Sequence, residues 1–318
     1  MEVVERACPE LVTRLRRDPE QPRAPAAIKR VYVLSRITLG ADVAVTSVLM
    51  DAAKNRYPDA EIMFVGPRKN FELWEGDPRI RHFPAPYART GSLHNRLNAS
   101  ASLWFEDGIV IDPDSRLSQL GLISVCPESN YFLFESRSYA SDRDDALPSL
   151  AALWAWEMFG VECRPYVTPL LQVTRPYDIT VSLGVGENQA KRLDDAFEKG
   201  LFRALAATGA SVLVDKGGTP DERERVERAV VPGIQTHDGA FAAFAPHIGW
   251  SRLYIGYDSA GGHVASACGN SPLIIARGFL SDRMRQRWTP LLATVIDGDA
   301  PDVLDQVRRA LATCTFRR

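Results

Sequence analysis

Residues Tyr254 to Ala267 read YIGYDSAGGHVASA, and they join an apolar run to a helical pattern through a group of small residues. This arrangement predicts a buried strand, a tight turn and then a helix. The first backbone N–H groups of such a helix have no intrahelical partner, and together they favour an anion. We therefore expect Asp258 to His263 to form an anion-binding turn.

The same alternation of apolar runs and helical patterns extends over most of the chain. The runs predicted as strands are RVYVLS, EIMFVG, IRHF and GIVID in the first half, and DITVSLG, SVLVD, LYIGYD and PLIIA in the second. Helical patterns lie between them. This order predicts an α/β fold with two Rossmann-like doubly wound domains and a cleft between them.

Three prolines in the segment 162–178 mark the expected domain boundary. The predicted organisation is an accessory helix with a linker over 1–29, a first domain over 30–165 and a second over 166–318. The last segment predicts a helix from Pro301, with Val303, Val307 and Leu311 on one stripe. That helix would cap the second domain or bridge both.

Composition excludes several classes of protein. The 318 residues include 38 Lys and Arg against 40 Asp and Glu, so the net charge of −2 predicts no nucleic-acid partner. The five cysteines form no C-x-x-C pair, which predicts neither a disulfide framework nor a zinc site. No apolar run approaches the roughly 18 residues of a membrane span. We expect a soluble, cytoplasmic protein.

A second glycine-bearing turn, VSLGVGENQAKRL, opens the second domain. Gly184 and Gly186 follow a predicted strand, and we expect Lys191 and Arg192 in the first turn of a helix from about Gln189 to Thr208. The dinucleotide pattern G-x-G-x-x-G is incomplete because position 189 is Gln. Basic residues at a helix start suit an external phosphate, or they are two solvated charges.

Two polar segments of the first domain also follow predicted strands. In SRITLGADVAVTSVL, Gly40 permits a tight turn and Asp42 stands at a helix start, as an N-cap or as a catalytic carboxylate. The segment IDPDSRLSQLGL is more polar than a core requires. Its Asp112-Pro113-Asp114 has the form of a metal-binding D-x-D pair. A metal site there would leave the predicted anion-binding turn, DSAGGH from Asp258 to His263, without a role.

In their order along the chain these motifs resemble the bacterial heptosyltransferases of glycosyltransferase family 9. The residues that carry the resemblance are Gly40 to Val43, Lys191, DSAGGH at 258–263 and AAKNRYPDAEIMFVG at 52–66. It extends from about Arg30 to the C-terminus. Two departures stand out, because Ala41 is an extra residue between Gly40 and Asp42, and Ala260 replaces a glycine.

The resemblance implies the GT-B fold, with an acceptor domain followed by a donor domain, and inverting, metal-independent transfer of a sugar, a heptose from ADP-heptose. It implies Asp42 as the catalytic base and no cofactor. The donor nucleotide would be bound by Gly184, Gly186, Lys191, Asp258, Ser259, Ala260, Gly261, Gly262 and His263. The acceptor would be bound by Asp112, Asp114, Arg116 and Gln119. The first-domain arginines Arg89, Arg116, Arg137 and Arg143 would suit a phosphorylated or acidic acceptor, or they are surface charges.

The implied partners are a nucleoside diphosphate sugar and an acceptor that is a lipopolysaccharide core, another glycan or a small molecule, with at most peripheral membrane contact through that acceptor. Two other functions stay open. An NAD-dependent oxidoreductase would share the α/β plan. A catalytically inactive nucleotide-sugar-binding protein would share the donor turn.

Overall fold

A computed structural model describes residues 24–87, 92–169, 173–174, 176–186 and 188–314. The predicted N-terminal helix lies outside these residues, and so does Arg89. The contacts divide the chain into unit 1, Met1–Thr168, and unit 2, Pro169–Arg318. This division falls three residues after the predicted boundary. Among the described residues, no helix combines the length and apolar character that crossing a membrane requires.

Unit 1 is built on a five-stranded sheet of parallel pairs in the order β3-β2-β1-β4-β5. Its strands are β1 (Arg30–Leu34), β2 (Glu61–Gly66), β3 (Ile80–Pro84), β4 (Ile109–Asp112) and β5 (Tyr131–Leu133). Its helices are α1 (Leu39–Ala41), a π-helical segment (Asp42–Thr46), α2 (Ser47–Arg56), α3 (Arg68–Phe71), α4 (Leu93–Ala101) and α5 (Leu147–Phe159). Val- and Ile-rich β1 and β4 are almost completely buried, as expected for central parallel strands.

Unit 2 is built on a six-stranded sheet in the order β11-β10-β9-β6-β7-β8, again with parallel pairs. Its strands are β6 (Ile179–Ser182), β7 (Val212–Asp215), β8 (Gln235–His237), β9 (Leu253–Tyr257), β10 (Leu273–Ala276) and β11 (Thr294–Asp297). Its α-helices are α6 (Asp195–Ala207), α7 (Pro220–Ala229), α8 (Phe241–Trp250), α9 (Ala260–Ala267), α10 (Asp282–Trp288) and α11 (Val303–Ala312).

The strand order of each unit reverses at one point, between β1 and β4 in unit 1 and between β6 and β9 in unit 2. Ligands of open α/β sheets bind outside the carboxyl ends of the strands at such a point. Each unit therefore has one defined place for a ligand.

Two predicted helix starts are wrong. Residues Gln189–Lys191 form a short 3₁₀ turn, and α6 begins only at Asp195, because the carboxylate of Asp194 accepts a hydrogen bond from the N–H of Phe197. Lys191 and Arg192 therefore precede the helix instead of lying in its first turn. The last helix begins at Val303 and not at Pro301, although its buried stripe is as predicted.

Candidate functional site

The two predicted donor segments of unit 2 meet at the carboxyl edge of the sheet. The Nζ atom of Lys191 lies 3.1 Å from the main-chain oxygen of Asp258 and forms an ion pair with the carboxylate of the same residue. Asp258 directly follows β9, next to β6, and is buried. The structure thus brings together two predicted site residues that lie 67 positions apart.

Helix α9 starts beside this ion pair. Ser259 is its N-cap residue, but within the described residues the Ser259 side chain accepts no hydrogen bond from the first turn. Ala260, Gly261 and Gly262 then supply backbone N–H groups that face no intrahelical carbonyl. Such a helix start attracts an anion through these groups and through the helix dipole.

The glycines of this turn are required by packing. A Cβ atom on Gly261 would fall on the phenol of buried Tyr254, and one on Gly262 would lie 2.6 Å from Cδ1 of Ile274. Both glycines therefore let α9 pack closely against β9 and β10.

His263 lies in the first turn of α9 and is only 5 % exposed. The pKa of His263 is lowered from 6.5 to about 4, chiefly by burial; nearby Asp258 opposes this change, and Lys191 adds to it. The imidazole is therefore neutral at pH 7. It can offer one N–H to a phosphate but cannot serve as a cation.

The turn after β6, which carries Gly184 and Gly186, is held by a buried ion pair that was not predicted from the sequence. Glu198 on α6 is completely buried and pairs with Arg225 of α7. Arg225 also donates a hydrogen bond of 2.9 Å to the carbonyl of Leu183, directly before Gly184. Gly186 follows with a φ of 59°, a conformation that suits glycine. The helical pattern of the sequence around Glu198 and Arg225 does not show that these charged side chains are buried.

In unit 1, Asp42 is completely buried and both of its carboxylate oxygens are fully used. Oδ1 accepts hydrogen bonds from the N–H of Arg36 at 2.6 Å and from Thr46 at 2.7 Å. Oδ2 accepts from Ser35 at 2.7 Å and from Asn70 at 2.6 Å. Burial raises the pKa of Asp42, and these hydrogen bonds oppose that rise.

Asp42 is not an N-cap, which corrects one of the two predicted roles. The helix already begins at Leu39, and Asp42 opens the π-helical segment that follows α1. A π-helical segment holds an additional residue within a helix and often lies at a functional site. Ala41 lies at the end of α1, directly before this segment, and the loop before α1 carries Ile37 at a φ of 71°.

The two carboxylates of the formal D-x-D pair have different environments. Asp112 is completely buried, where it accepts hydrogen bonds from the N–H of Ser115 at 2.6 Å, from Tyr131 at 2.5 Å and from Ser118. Burial raises the pKa of Asp112. In the ranges that the structure describes, no three His, Cys, Asp or Glu side chains form a group that could hold a metal ion.

Asp114 belongs to a different cluster, which we call the Arg36 cluster and define as Arg36, Asp114, Ser136 and Arg137. Ser136 donates a hydrogen bond of 2.9 Å to Oδ2 of Asp114, and the guanidinium groups of Arg36 and Arg137 lie 3.9 and 3.7 Å from the same oxygen. Arg36 and Ser136 were not among the predicted site residues. Arg36 lies two positions after β1 and Ser136 three positions after β5, so both stand just beyond the carboxyl ends of buried strands.

The other predicted acceptor residues lie in the loop after β4. The Gln119 side chain donates hydrogen bonds to Ser100 at 3.1 Å and to the carbonyl of Arg116 at 2.8 Å, so it supports the loop itself. Arg143 lies at an exposed position and pairs with Asp145. Arg137, also a predicted basic residue, lies against Asp114.

No family model matches the chain, and no curated protein matches it. Its fold, however, is similar to solved structures. Escherichia coli heptosyltransferase WaaC with ADP aligns at a TM-score of 0.66 with 13 % identity, over 89 % of this chain and 99 % of that chain. A family 9 glycosyltransferase from Veillonella parvula aligns at 0.64 with 15 % identity, over 92 % of both chains.

Escherichia coli ADP-heptose lipopolysaccharide heptosyltransferase II aligns at a TM-score of 0.60 with 16 % identity, over 89 % of this chain and 98 % of that chain. At these identities the similarity is one of fold. It confirms the predicted α/β architecture of the GT-B type, with two doubly wound sheets.

Proposed function

We propose that this protein is a glycosyltransferase that moves a sugar from a nucleoside diphosphate sugar to an acceptor hydroxyl. The observation that carries the proposal is the placement of Lys191 against Asp258 and the start of α9, at the point where the strand order of unit 2 reverses. Cation and helix start together suit a diphosphate. The fold similarity to glycosyltransferases supports the same function.

In this proposal the donor diphosphate lies at the start of α9. Lys191 exchanges part of its pairing with Asp258 for the phosphate oxygens, and the N–H groups of Ala260 to Gly262 bind the same oxygens. The departing diphosphate gains negative charge in the transition state. A single preorganised donor at such a position contributes on the order of 3 kcal/mol to transition-state stabilisation.

The proposed donor is an ADP-sugar, with ADP-heptose as the first compound to test. WaaC was crystallised with ADP and with ADP-2-deoxy-2-fluoro heptose, and its fold is similar to that of this chain. The proposed acceptor is a glycan or a small molecule. Direct attack by its hydroxyl oxygen inverts the anomeric carbon, and it requires a group that removes the hydroxyl proton.

We propose that transfer is independent of a metal ion, because Lys191 and the helix start supply the positive charge that a metal would supply. Metal independence needs a test because the dodecameric heptosyltransferase TibC, which has a similar fold, contains iron. TibC aligns with this chain at a TM-score of 0.51 with 11 % identity, over 65 % of the TibC chain.

The test is a series of thermal melts with ADP, UDP, GDP and NAD, each with and without Mg²⁺ or Mn²⁺. A ligand at 100 times its dissociation constant stabilises the folded state by about 2.7 kcal/mol. We expect ADP alone to raise the melting temperature without metal. A shift only with NAD would favour the oxidoreductase, and a shift only with metal would contradict the metal-independent reaction.

Nucleotide release then separates an enzyme from an inactive binding protein. Release of ADP from ADP-heptose in buffer, with water as the acceptor, is expected to exceed the rate without protein. Binding of ADP-heptose with no release of ADP would contradict enzymatic transfer and favour the binding protein.

A further inference from the structure

The hydroxyl of Tyr254 is buried and has no hydrogen-bond partner among the described residues. Tyr254 lies in β9 and is 0 % exposed. Most buried polar side-chain atoms have a partner, because a polar group without one destabilises the folded state. Phenylalanine would fill the same space without this penalty. The packing of β9 therefore does not explain why the residue carries a hydroxyl.

The position of this hydroxyl directs it at the start of α9. It lies between the end of β9 and the first turn of α9, where a Cβ atom on either Gly256 or Gly261 would overlap it. Both glycines thus leave room for the oxygen atom of Tyr254. That atom ends beside the helix start at which we propose that the donor diphosphate binds.

Ser259 lies next to the same hydroxyl. Burial raises the pKa of Tyr254; nearby Ser259 and Ser182 oppose this rise, while Asp215 and Asp258 add to it. The phenol therefore stays protonated at pH 7 and can donate a hydrogen bond. Ser259 is the N-cap residue of α9, yet its side chain does not cap the first turn. It is half-buried, and a serine hydroxyl can accept one hydrogen bond while it donates another.

We propose that Tyr254 is a positioning residue for an anion at the start of α9. When the anion binds, the hydroxyl of Tyr254 donates a hydrogen bond to Oγ of Ser259, and Ser259 donates its own to an anion oxygen beside the N–H groups of Ala260 to Gly262. The proposal rests on the proposed function for the identity of the anion, a diphosphate. Tyr254 itself does not contact the anion.

This arrangement links the unpaired hydroxyl to affinity. The free protein carries the hydroxyl of Tyr254 without a partner, and the bound protein pairs it with Ser259. Because a ligand is favoured by any interaction that is better in the bound state, this pairing adds to the affinity for the anion. A hydrogen bond received from Tyr254 also polarises Ser259 and strengthens the bond that Ser259 donates.

The first experiment uses Tyr254→Phe, which removes one oxygen atom and keeps the packing. Isothermal titration with ADP, and in parallel with inorganic pyrophosphate, measures the affinity. We expect both affinities to fall about 5- to 10-fold, in line with the loss of one hydrogen bond. The melting temperature of the free protein is expected to stay unchanged or to rise, since the oxygen that is lost had no partner. A purely structural role of the hydroxyl would lower the melting temperature instead.

Tyr257→Phe is the matched control on the same strand. The hydroxyl of Tyr257 accepts a hydrogen bond of 3.2 Å from the N–H of Leu193 and donates one of 3.1 Å to Glu198. Its removal is expected to lower the melting temperature, with a smaller loss of affinity than in Tyr254→Phe. Equal losses of affinity in the two variants would reflect a general loosening of the sheet and would overturn the proposal.

A double-mutant cycle tests whether Tyr254 acts through Ser259. Ser259→Ala alone is expected to weaken binding at least as much as Tyr254→Phe, because it removes the direct contact with the anion. Adding Tyr254→Phe to Ser259→Ala is then expected to cause no further loss. Losses that multiply in the double variant would overturn the proposal, and so would an affinity that Tyr254→Phe does not change.

The two ligands separate this proposal from the proposed function. Binding of pyrophosphate without binding of ADP would contradict a nucleotide donor, and the same variants would still decide the role of Tyr254 on pyrophosphate. Equal binding of ADP by the unchanged protein and by Tyr254→Phe would overturn the role of Tyr254 and leave glycosyl transfer standing. Binding of neither ligand would overturn both.

Discussion

Lys191 holds Asp258 twice, through a hydrogen bond of 3.1 Å to the main-chain oxygen and through an ion pair with the carboxylate. The cation of the candidate donor site is thus paired within unit 2, beside the start of α9. The diphosphate that we propose for this site has to share Lys191 with Asp258, so affinity for nucleotide tests the role of this pair.

Replacing Lys191 with Ala is expected to weaken ADP binding at least about 10-fold, because it removes a charge-assisted contact worth about 1.5 to 3 kcal/mol. Isothermal titration with ADP measures the change. Lys199→Ala, which removes an exposed lysine of α6, is the matched control and is expected to bind ADP normally. Equal affinities of the two variants would remove Lys191 from the donor site.

Arg225→Met is expected to destabilise the fold by about 1.5 to 3 kcal/mol, since it removes the buried one of the two cations that pair with Glu198 and leaves only the partly exposed Arg192. Urea unfolding measures the free energy. The control is Arg228→Met on the same helix, which breaks an exposed pair with Glu224 and should change the free energy by less than about 1 kcal/mol. A similar loss of unfolding free energy in both variants would show that the pair with Glu198 stabilises the fold no more than the exposed pair does.

His263 should make stability depend on pH in mild acid. Its pKa is about 4 in the folded chain and 6.5 as the ordinary value, so the unfolded state binds more protons between these values. Its contribution is therefore complete above pH 6.5 and falls by about 3 kcal/mol as the pH drops to 4. We expect His263→Gln to flatten the unfolding free energy over this range, and parallel curves for the two proteins would contradict the lowered pKa.

Gly261→Ala is expected to cost about 1 to 3 kcal/mol of stability, because the added methyl group meets the phenol of Tyr254. Thermal unfolding measures the effect. Gly218→Ala is the control, since a Cβ at that position meets no atom within 4 Å and the φ is ordinary. If both variants melt together, close packing is not the reason for glycine at 261.

Local pattern was sufficient for the long elements of the fold. The apolar runs that become β1, β2, β6 and β9 were predicted as strands because each is rich in branched residues and flanked by turn residues. The edge strand β8, with the residues Gln-Thr-His, was missed, since its side chains stay partly exposed and its pairing with β7 supplies the structure. The late start of α6 was missed because Asp194 competes as a cap.

The sequence by itself determined the α/β class, the two glycine-bearing turns of unit 2 and the presence of Lys191 and Asp258 in them. These features depend on residues close together in the chain, where spacing is visible. Only the tertiary structure decided that Asp42 is sealed, that Arg36 reaches Asp114 and that Glu198 is buried with Arg225. Those properties arise from contacts between distant segments, because burial and hydrogen-bond partners are set by packing and leave no local periodicity.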